Sequence, residues 1–113
     1  MRTVADAATR RRGQVWLAEL GGRDKTRPVV LVSRDEAYTY RRQVTVAYVT
    51  SRVRPIPSHV LLEDSGIPGL HGSVNCDQLV TIDQGRLVDL IGTLAPRTVV
   101  ALDSALSFAL ELS

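Results

Sequence analysis

Short runs in which hydrophobic and polar residues alternate, or in which hydrophobic residues follow one another, occupy most of the chain. Alternation with a period of two is typical of a strand that buries one face, and an unbroken β-branched run is typical of a strand buried on both. Glycine, proline and Asp-containing turns separate the runs, which cover 14–20, 28–33, 44–50, 58–62, 73–79 and 87–93. The run at 28–33 is the unbroken one. The pattern predicts five or six short strands.

The end of the chain has a helical pattern instead. Apolar residues recur there at spacings of three and four, at Val99, Leu102, Leu106, Ala109 and Leu110. Pro96 fits the first turn of a helix that begins near Ala95. We expect Leu106, Phe108 and Leu110 in the core or at a dimer interface. The fold class predicted is mainly β with a C-terminal α-helix: a small open barrel that the helix covers.

The chain has room for one domain at 113 residues. We expect that domain over 11–113, behind a flexible N-terminal arm at 1–10. No apolar run reaches the roughly 18 residues of a membrane span, and none follows the basic N-terminus as in a secretory signal. The single Cys76 excludes an intrachain disulfide and fits a reducing compartment, so a cytoplasmic location is expected.

Charge is distributed unevenly along the chain. Residues 1–60 carry 12 Arg or Lys against 5 Asp or Glu, whereas 61–113 carry 2 against 7. A basic half indicates a surface for a polyanion, although a solvated face explains the same numbers. All but one of the basic residues are arginine, which favours bidentate contact with phosphate.

Cofactor and acyl-transfer motifs are missing. The sequence has no GxGxxG, no phosphate-binding GxxxxGK[ST] and no GxSxG, and His59, His71 and Cys76 lack the spacing of metal ligands. We therefore expect no metal and no cofactor. Cleavage of RNA suits such a chain, because the ribose 2′-OH is a nucleophile that the substrate itself supplies.

Four segments in order resemble the MazF/PemK family of toxin endoribonucleases. They are RRGQVWLAEL, TRPVVLVS, VTVAYVTS and SVNCDQLVTID, at 11–20, 26–33, 44–51 and 73–83, followed by a G-x-L and the helix at 92–112. The resemblance covers nearly the whole chain from Arg11. It implies an SH3-like barrel of the CcdB/MazF type, a homodimer and sequence-specific cleavage of single-stranded mRNA. It also implies inhibition by a cognate, MazE-like antitoxin.

The resemblance assigns site residues by position. Arg27 matches the catalytic arginine of the family, and Thr50 matches the catalytic threonine. Asp77 stands at the position of a catalytic aspartate in one branch of the family; it is either a general base or the cap of a local turn. His59 can shuttle a proton at neutral pH, although a lone histidine in a short strand is often only half-buried.

RNA contacts are expected around these groups. The residues named for them are polar or basic and lie in the loops or in the NCDQ segment: Arg23, Lys25, Ser51, Arg52, Asn75 and Gln78. Arg41, Arg42 and Arg54 are expected to extend the same basic rim. Tyr38, Tyr40 and Trp16 can stack on bases, with packing in the core as the alternative for Trp16.

The chain departs from the family pattern at two places. Asn75 occupies the position at which one branch has a catalytic arginine, so a second cation is missing there. The loop at 21–26 is shorter than in many relatives, which leaves the groove more open. Two other functions stay possible at this point: a CcdB-like toxin that poisons DNA gyrase and cuts nothing, and a non-catalytic RNA-binding barrel.

Overall fold

The computed structural model describes residues 10–23 and 25–112. Apart from Arg10, the predicted arm lies outside these residues. Within these residues, six strands and two α-helices follow one another: β1 (Gln14–Glu19), β2 (Thr26–Leu31), α1 (Ala37–Tyr40), β3 (Gln43–Thr50), β4 (His59–Leu61), β5 (Ser73–Asp83), β6 (Leu87–Thr93) and α2 (Pro96–Leu110). A 3₁₀ turn, Gln84–Arg86, joins β5 to β6.

The strands form an antiparallel sheet in the order β4-β5-β3-β2-β1-β6. β4 and β6 are its two edges, so the sheet does not close, which is consistent with an open barrel. The predicted class, a mainly β open barrel with a C-terminal helix, is confirmed. Within 10–23 and 25–112, neither helix has the length and apolar character that crossing a bilayer requires.

The sheet has a hydrophobic cluster on each face. β2 shows this best, because Val30 packs into the cluster beneath α2 while Val29 packs into the opposite cluster with Trp16 and Val46. Both valines are fully buried. The prediction that this strand is buried on both faces is correct, and its burial makes β2 a fixed support for residues at its ends.

α2 begins as predicted, with Pro96 at its first position. Leu102 and Leu106 are buried in the cluster beneath the helix, and Val99 and Ala109 pack at its edge. Phe108 and Leu110 are more than half exposed, at 58% and 51%. Of the two places expected for them, the core is excluded in the single chain because the helix turns them away from the sheet, and a dimer interface stays a prediction.

β5 is longer and less regular than its sequence predicted. It extends to Asp83 rather than ending near Leu79, since the alternation continues through Val80 and Ile82, which face the second cluster. Its register with β3 jumps between Ala47↔Leu79 and Tyr48↔Asn75, so residues 76–78 bulge out of the ladder. Bulges re-aim side chains, and this one carries part of the NCDQ segment.

Candidate functional site

Polar side chains from neighbouring strands share one face of the sheet. Tyr48 of β3 lies opposite Asn75 of β5, and Asn75 lies opposite His59 of β4. Val29 of β2 lies opposite Tyr48, and continuing that register by two residues puts Arg27 across from Thr50. Directly opposed residues of antiparallel strands project to the same face. The two positions on which the sequence prediction depended are therefore neighbours.

Contacts with Val49 and Tyr48 hold Arg27 at the end of β3. Its Nη2 donates a hydrogen bond of 2.9 Å to the carbonyl oxygen of Val49, the residue before Thr50. Its guanidinium carbon lies 4.0 Å from the centre of the Tyr48 ring, the geometry of a cation–π contact. Stacking on Tyr48 and bonding to Val49 fix the plane of the cation beside Thr50. Tyr48 is a site residue that the sequence prediction missed.

Thr50 lines a mostly polar cleft of about 430 Å³. Its Oγ1 accepts a hydrogen bond of 3.2 Å from the backbone N–H of Arg52. Six other predicted site residues or rim arginines share the lining: Arg52, Arg54, His59, Asn75, Asp77 and Gln78. Arg27 is not among the lining residues, but its side chain bonds to Val49 O, next to Thr50.

The β5 bulge organises one wall of the cleft. The Asn75 side-chain amide donates to Gln78 Oε1 at 3.0 Å, and Asn75 Oδ1 accepts from the Asp77 backbone N–H at 2.9 Å. Asp77 Oδ2 in turn accepts from the Ser58 hydroxyl at 2.6 Å. Asp77 is thus an exposed carboxylate that Ser58 orients. Ser58 was not predicted; the only signal for it was its place at the start of a strand.

His59 is fixed through a second serine. Its Nδ1 lies 3.1 Å from Ser73 Oγ, and that hydroxyl donates to the carbonyl oxygen of Arg52 at 2.7 Å. Ser73 is almost fully buried and pairs with both Thr50 and Leu61. The imidazole therefore has a defined position in the cleft. Ser73 was also missed.

The basic rim is smaller than predicted. Arg23 and Lys25 are exposed in the β1–β2 turn, just ahead of Arg27, and Ser51 and Arg52 are exposed just after Thr50. Arg41 and Arg42 instead precede β3, whose 8 residues separate them from Thr50. At about 3.4 Å per residue that distance exceeds 20 Å. Arg42 is paired with Asp83 at 3.6 Å, so the predicted continuous rim is wrong for these two residues.

Two of the three aromatic residues expected to stack on bases are buried. Trp16 is 5% exposed, with its Nε1 donating to Gln14 Oε1 at 2.9 Å. Tyr38 is buried with its hydroxyl donating to Ser33 O, and burial raises its pKa well above the usual range. Tyr40 is exposed but lies beside Arg41, at the end of β3 remote from the cleft.

Metal-ligating side chains do not cluster. Within the described parts of the chain, no three His, Cys, Asp or Glu residues come together in a way that could hold an ion. Cys76 is a free, buried thiol whose pKa burial raises to about 11, so it is a poor nucleophile. The polar groups that line the cleft are two guanidiniums, a hydroxyl, two amides, a carboxylate and an imidazole, and the Arg27 guanidinium bonds to the backbone next to them.

Comparisons with known proteins agree on one family. Residues 11–110 match the family described as PemK-like, MazF-like toxin of type II toxin–antitoxin systems. A probable endoribonuclease, MazF5 of Mycobacterium tuberculosis, is 36% identical over 106 residues, covering 90% of this chain and 94% of that protein.

Solved structures give the same result. A mycobacterial endoribonuclease in complex with its cognate antitoxin superposes with a TM-score of 0.81 at 30% identity, over 93% of this chain and 98% of that one. The Mycobacterium tuberculosis toxin MazF-mt6 gives a TM-score of 0.76 at 32% identity, over 88% and 98%.

Proposed function

Because the chain belongs to the PemK-like, MazF-like toxin family of type II toxin–antitoxin systems, we propose that it is a toxin endoribonuclease. Its reaction is the sequence-specific cleavage of single-stranded mRNA by the ribose 2′-OH, without a metal ion. The observation that carries the proposal is the position of the Arg27 guanidinium. It bonds to the backbone carbonyl of Val49, directly before Thr50, and Thr50 lines a polar cleft.

Cleavage of this kind has three chemical needs. The 2′-OH must lose its proton, the phosphorus must bear extra negative charge as a fifth oxygen bonds to it, and the departing 5′ oxygen must gain a proton. Arg27 meets the second need, because a fixed cation next to the phosphate stabilises the charge that develops there. The Thr50 hydroxyl is placed to hydrogen-bond the same phosphate or the attacking oxygen.

Two groups in the cleft can take the proton. Asp77 is ordered by Ser58, and His59 is ordered by Ser73. Asp77 lies on β5, which neighbours β3, and His59 lies on β4, which neighbours β5. Both residues line the same cleft as Thr50. Either one would complete a metal-independent site with Arg27 and Thr50.

RNA binding follows from the surroundings of these groups. Arg23, Lys25 and Arg52 offer cations to the phosphates on each side of the cut, and Ser51 offers a hydroxyl. Asn75 and Gln78 present amides that can read the edges of unpaired bases. A cleft lined by β5 and the 51–58 loop suits an unpaired strand, whose bases can turn towards the protein.

We also place the chain in its cellular setting by family membership. A MazE-like antitoxin would bind and silence it, as a cognate antitoxin does in the complex of the mycobacterial relative. The active form would be a homodimer of one barrel domain over 11–113. Its location would be the cytoplasm, where mRNA is found.

The gyrase-poisoning alternative is not favoured. Binding to gyrase does not require a guanidinium and a hydroxyl on the same face of the sheet. The family that matches is described as MazF-like, and the relative from Mycobacterium tuberculosis is described as a probable endoribonuclease. A non-catalytic RNA-binding barrel would explain the basic residues but not the ordered Asp77 and His59.

The test is cleavage of a long, end-labelled single-stranded RNA by purified protein in excess EDTA. We expect fragments that end in a 2′,3′-cyclic phosphate and begin with a 5′-OH, and no cleavage of the same sequence made as DNA. The Arg27→Ala protein, purified in parallel, controls for contaminating nucleases. Loss of cleavage in EDTA, or fragments beginning with a 5′-phosphate, would overturn the proposal.

A further inference from the structure

We infer that Ser73 is a positioning residue that makes His59 the general base of the cleavage reaction. The inference rests on the proposed function and selects between the two proton acceptors that the cleft offers. It follows from counting the hydrogens in the chain of contacts Arg52–Ser73–His59.

Ser73 has a single hydroxyl hydrogen, and the hydrogen bond to the Arg52 carbonyl oxygen uses it. The Arg52 carbonyl oxygen, 2.7 Å from Ser73 Oγ, can only accept a hydrogen bond, so Ser73 must donate to it. Towards His59, Ser73 can then offer only a lone pair. The contact of 3.1 Å to His59 Nδ1 is therefore a hydrogen bond only when Nδ1 carries the hydrogen.

This requirement sets the tautomer of the neutral imidazole. With the hydrogen on Nδ1, the other ring nitrogen, Nε2, has its lone pair available in a ring that lines the cleft with Thr50. In the reaction, Nε2 takes the proton of the ribose 2′-OH and the 2′ oxygen bonds to phosphorus. The bond from phosphorus to the 5′ oxygen breaks, and that oxygen takes a proton from water. The imidazolium returns its proton to water afterwards.

The surroundings of Ser73 keep this arrangement fixed. Its side chain is 1% exposed, and its backbone lies between Thr50 of β3 and Leu61 of β4. Water therefore has little access to the hydroxyl and cannot readily replace Arg52 O as the acceptor. The charged groups that line the cleft with the imidazole are Asp77 of β5 and, in the loop between β3 and β4, Arg52 and Arg54.

The direct test is the ¹⁵N spectrum of the His59 ring in the intact protein at a pH where the ring is neutral. We expect the hydrogen on Nδ1 in the wild type and a shift of population towards Nε2 in Ser73→Ala. A wild-type ring with its hydrogen on Nε2 would overturn the inference. This measurement remains decisive even if Ser73→Ala is too unstable to assay.

The kinetic test compares Ser73→Ala in two backgrounds, under single-turnover conditions with saturating RNA. In the wild-type background we expect cleavage to slow by roughly ten- to a hundredfold and the acid side of the pH–rate profile to change. In the His59→Gln background, itself slowed by about 10²-fold or more, Ser73→Ala should have no further effect.

A matched control is Ser65→Ala, because Ser65 is also buried and its hydroxyl also bonds to backbone, at Ile67 N, away from the cleft. It should leave the rate unchanged. Equal losses from Ser73→Ala in both backgrounds would mean a purely structural serine and would overturn the inference. Full activity of His59→Gln would also overturn it, while leaving the cleavage proposed for Arg27 and Thr50 intact.

Discussion

At the scale of single residues, the site depends on how Arg27 is restrained. A guanidinium at the end of a strand is normally mobile, and a mobile cation gives little extra stabilisation to a transition state. Here the stack on Tyr48 and the bond to Val49 O fix its plane before substrate binds. Preorganisation of this kind is what makes a cation effective at a developing charge.

Arg27→Ala should therefore reduce the rate much more than the affinity. We expect single-turnover cleavage to fall by about 10²–10³-fold. RNA affinity should fall by less than about tenfold, because only one of several cationic contacts is lost. Arg41→Ala is the matched control, since that arginine is exposed at the remote end of β3. Unaltered cleavage by the Arg27 variant would remove this residue from the mechanism.

Some residues of the candidate site could be predicted from the sequence, and others could not. Arg27 and Thr50 could be placed by the ends of two hydrophobic runs and by resemblance, and the register brings them together. The sequence did not reveal three site residues, Ser58, Ser73 and Tyr48. Each contacts a residue distant in the sequence, so no local pattern of residues predicts the contact. Trp16 and Tyr38 show the converse: an aromatic side chain looks like a stacking platform until its burial is known.

At the scale of elements, the beginning of β5 fixes the end of β3. Gly72 has a φ of +92°, which a side chain rarely adopts, and a Cβ there would collide with the carbonyl oxygen of Thr50. The close approach lets Ser73 pair with Thr50. The loop 64–72 thus ends where β5 can pair with the end of β3 in the register that sets Ser73 opposite Thr50.

Gly72→Ala should be costly for that reason. We expect it to lower the free energy of unfolding in urea by about 2–4 kcal/mol, and to slow cleavage under conditions where it is still folded. Gly69→Ala is the matched control, because Gly69 also has a positive φ, +79°, but open space around it. It should cost about 1 kcal/mol and leave cleavage intact. Equal losses of stability in both variants would contradict the proposed contact.

Strand existence was more predictable than strand shape. The six runs of hydrophobic residues correspond to six strands, and the turn expected between the last two runs is present as the 3₁₀ turn Gln84–Arg86. The bulge at 76–78 was not predictable, because it depends on how β5 changes register against β3 and also pairs with β4. Since that bulge presents Asp77 and Gln78, the least predictable element forms one wall of the cleft.

At the scale of the whole molecule, the packing around the cleft can be measured through Cys76. This thiol is 1% exposed in the cluster beneath α2, directly before Asp77. Burial, followed by the nearby Asp77 charge, raises its pKa to about 11. In the unfolded chain the thiol ionises near pH 8.5. The folded state therefore binds more protons between these values, and stability falls as the pH rises through them.

We expect the free energy of unfolding to decrease by about 1 kcal/mol between pH 8 and 9.5 because of this residue. Below pH 8 the contribution should be constant. Cys76→Ala should flatten the pH dependence, whatever its effect on absolute stability. Parallel curves for the two proteins would show that Cys76 is accessible to solvent in the folded state. The upper limit of pH 9.5 keeps Tyr38, whose pKa is also raised, from contributing.

The whole molecule also places its charge unevenly. Arg52 and Arg54 line the cleft and Arg23 and Lys25 precede Arg27 in the β1–β2 turn, while Arg41 and Arg42 lie at the other end of β3. The excess of basic residues in the first half of the chain indicated a polyanion surface, but only the fold divides it between two ends. Counting charges along the sequence cannot show this, because the arginines before β3 and those after it are close in sequence but lie at opposite ends of that strand.

The most direct test of the account is a double-mutant cycle on residues 27 and 50, measured as single-turnover cleavage at saturating RNA. Thr50→Val removes the hydroxyl and keeps the shape of the side chain, and Arg27→Ala removes the cation. If both groups act on one phosphate, the double variant should lose little more than the more damaging single variant. Losses that multiply would instead mean that the two side chains act independently, and would contradict a shared site.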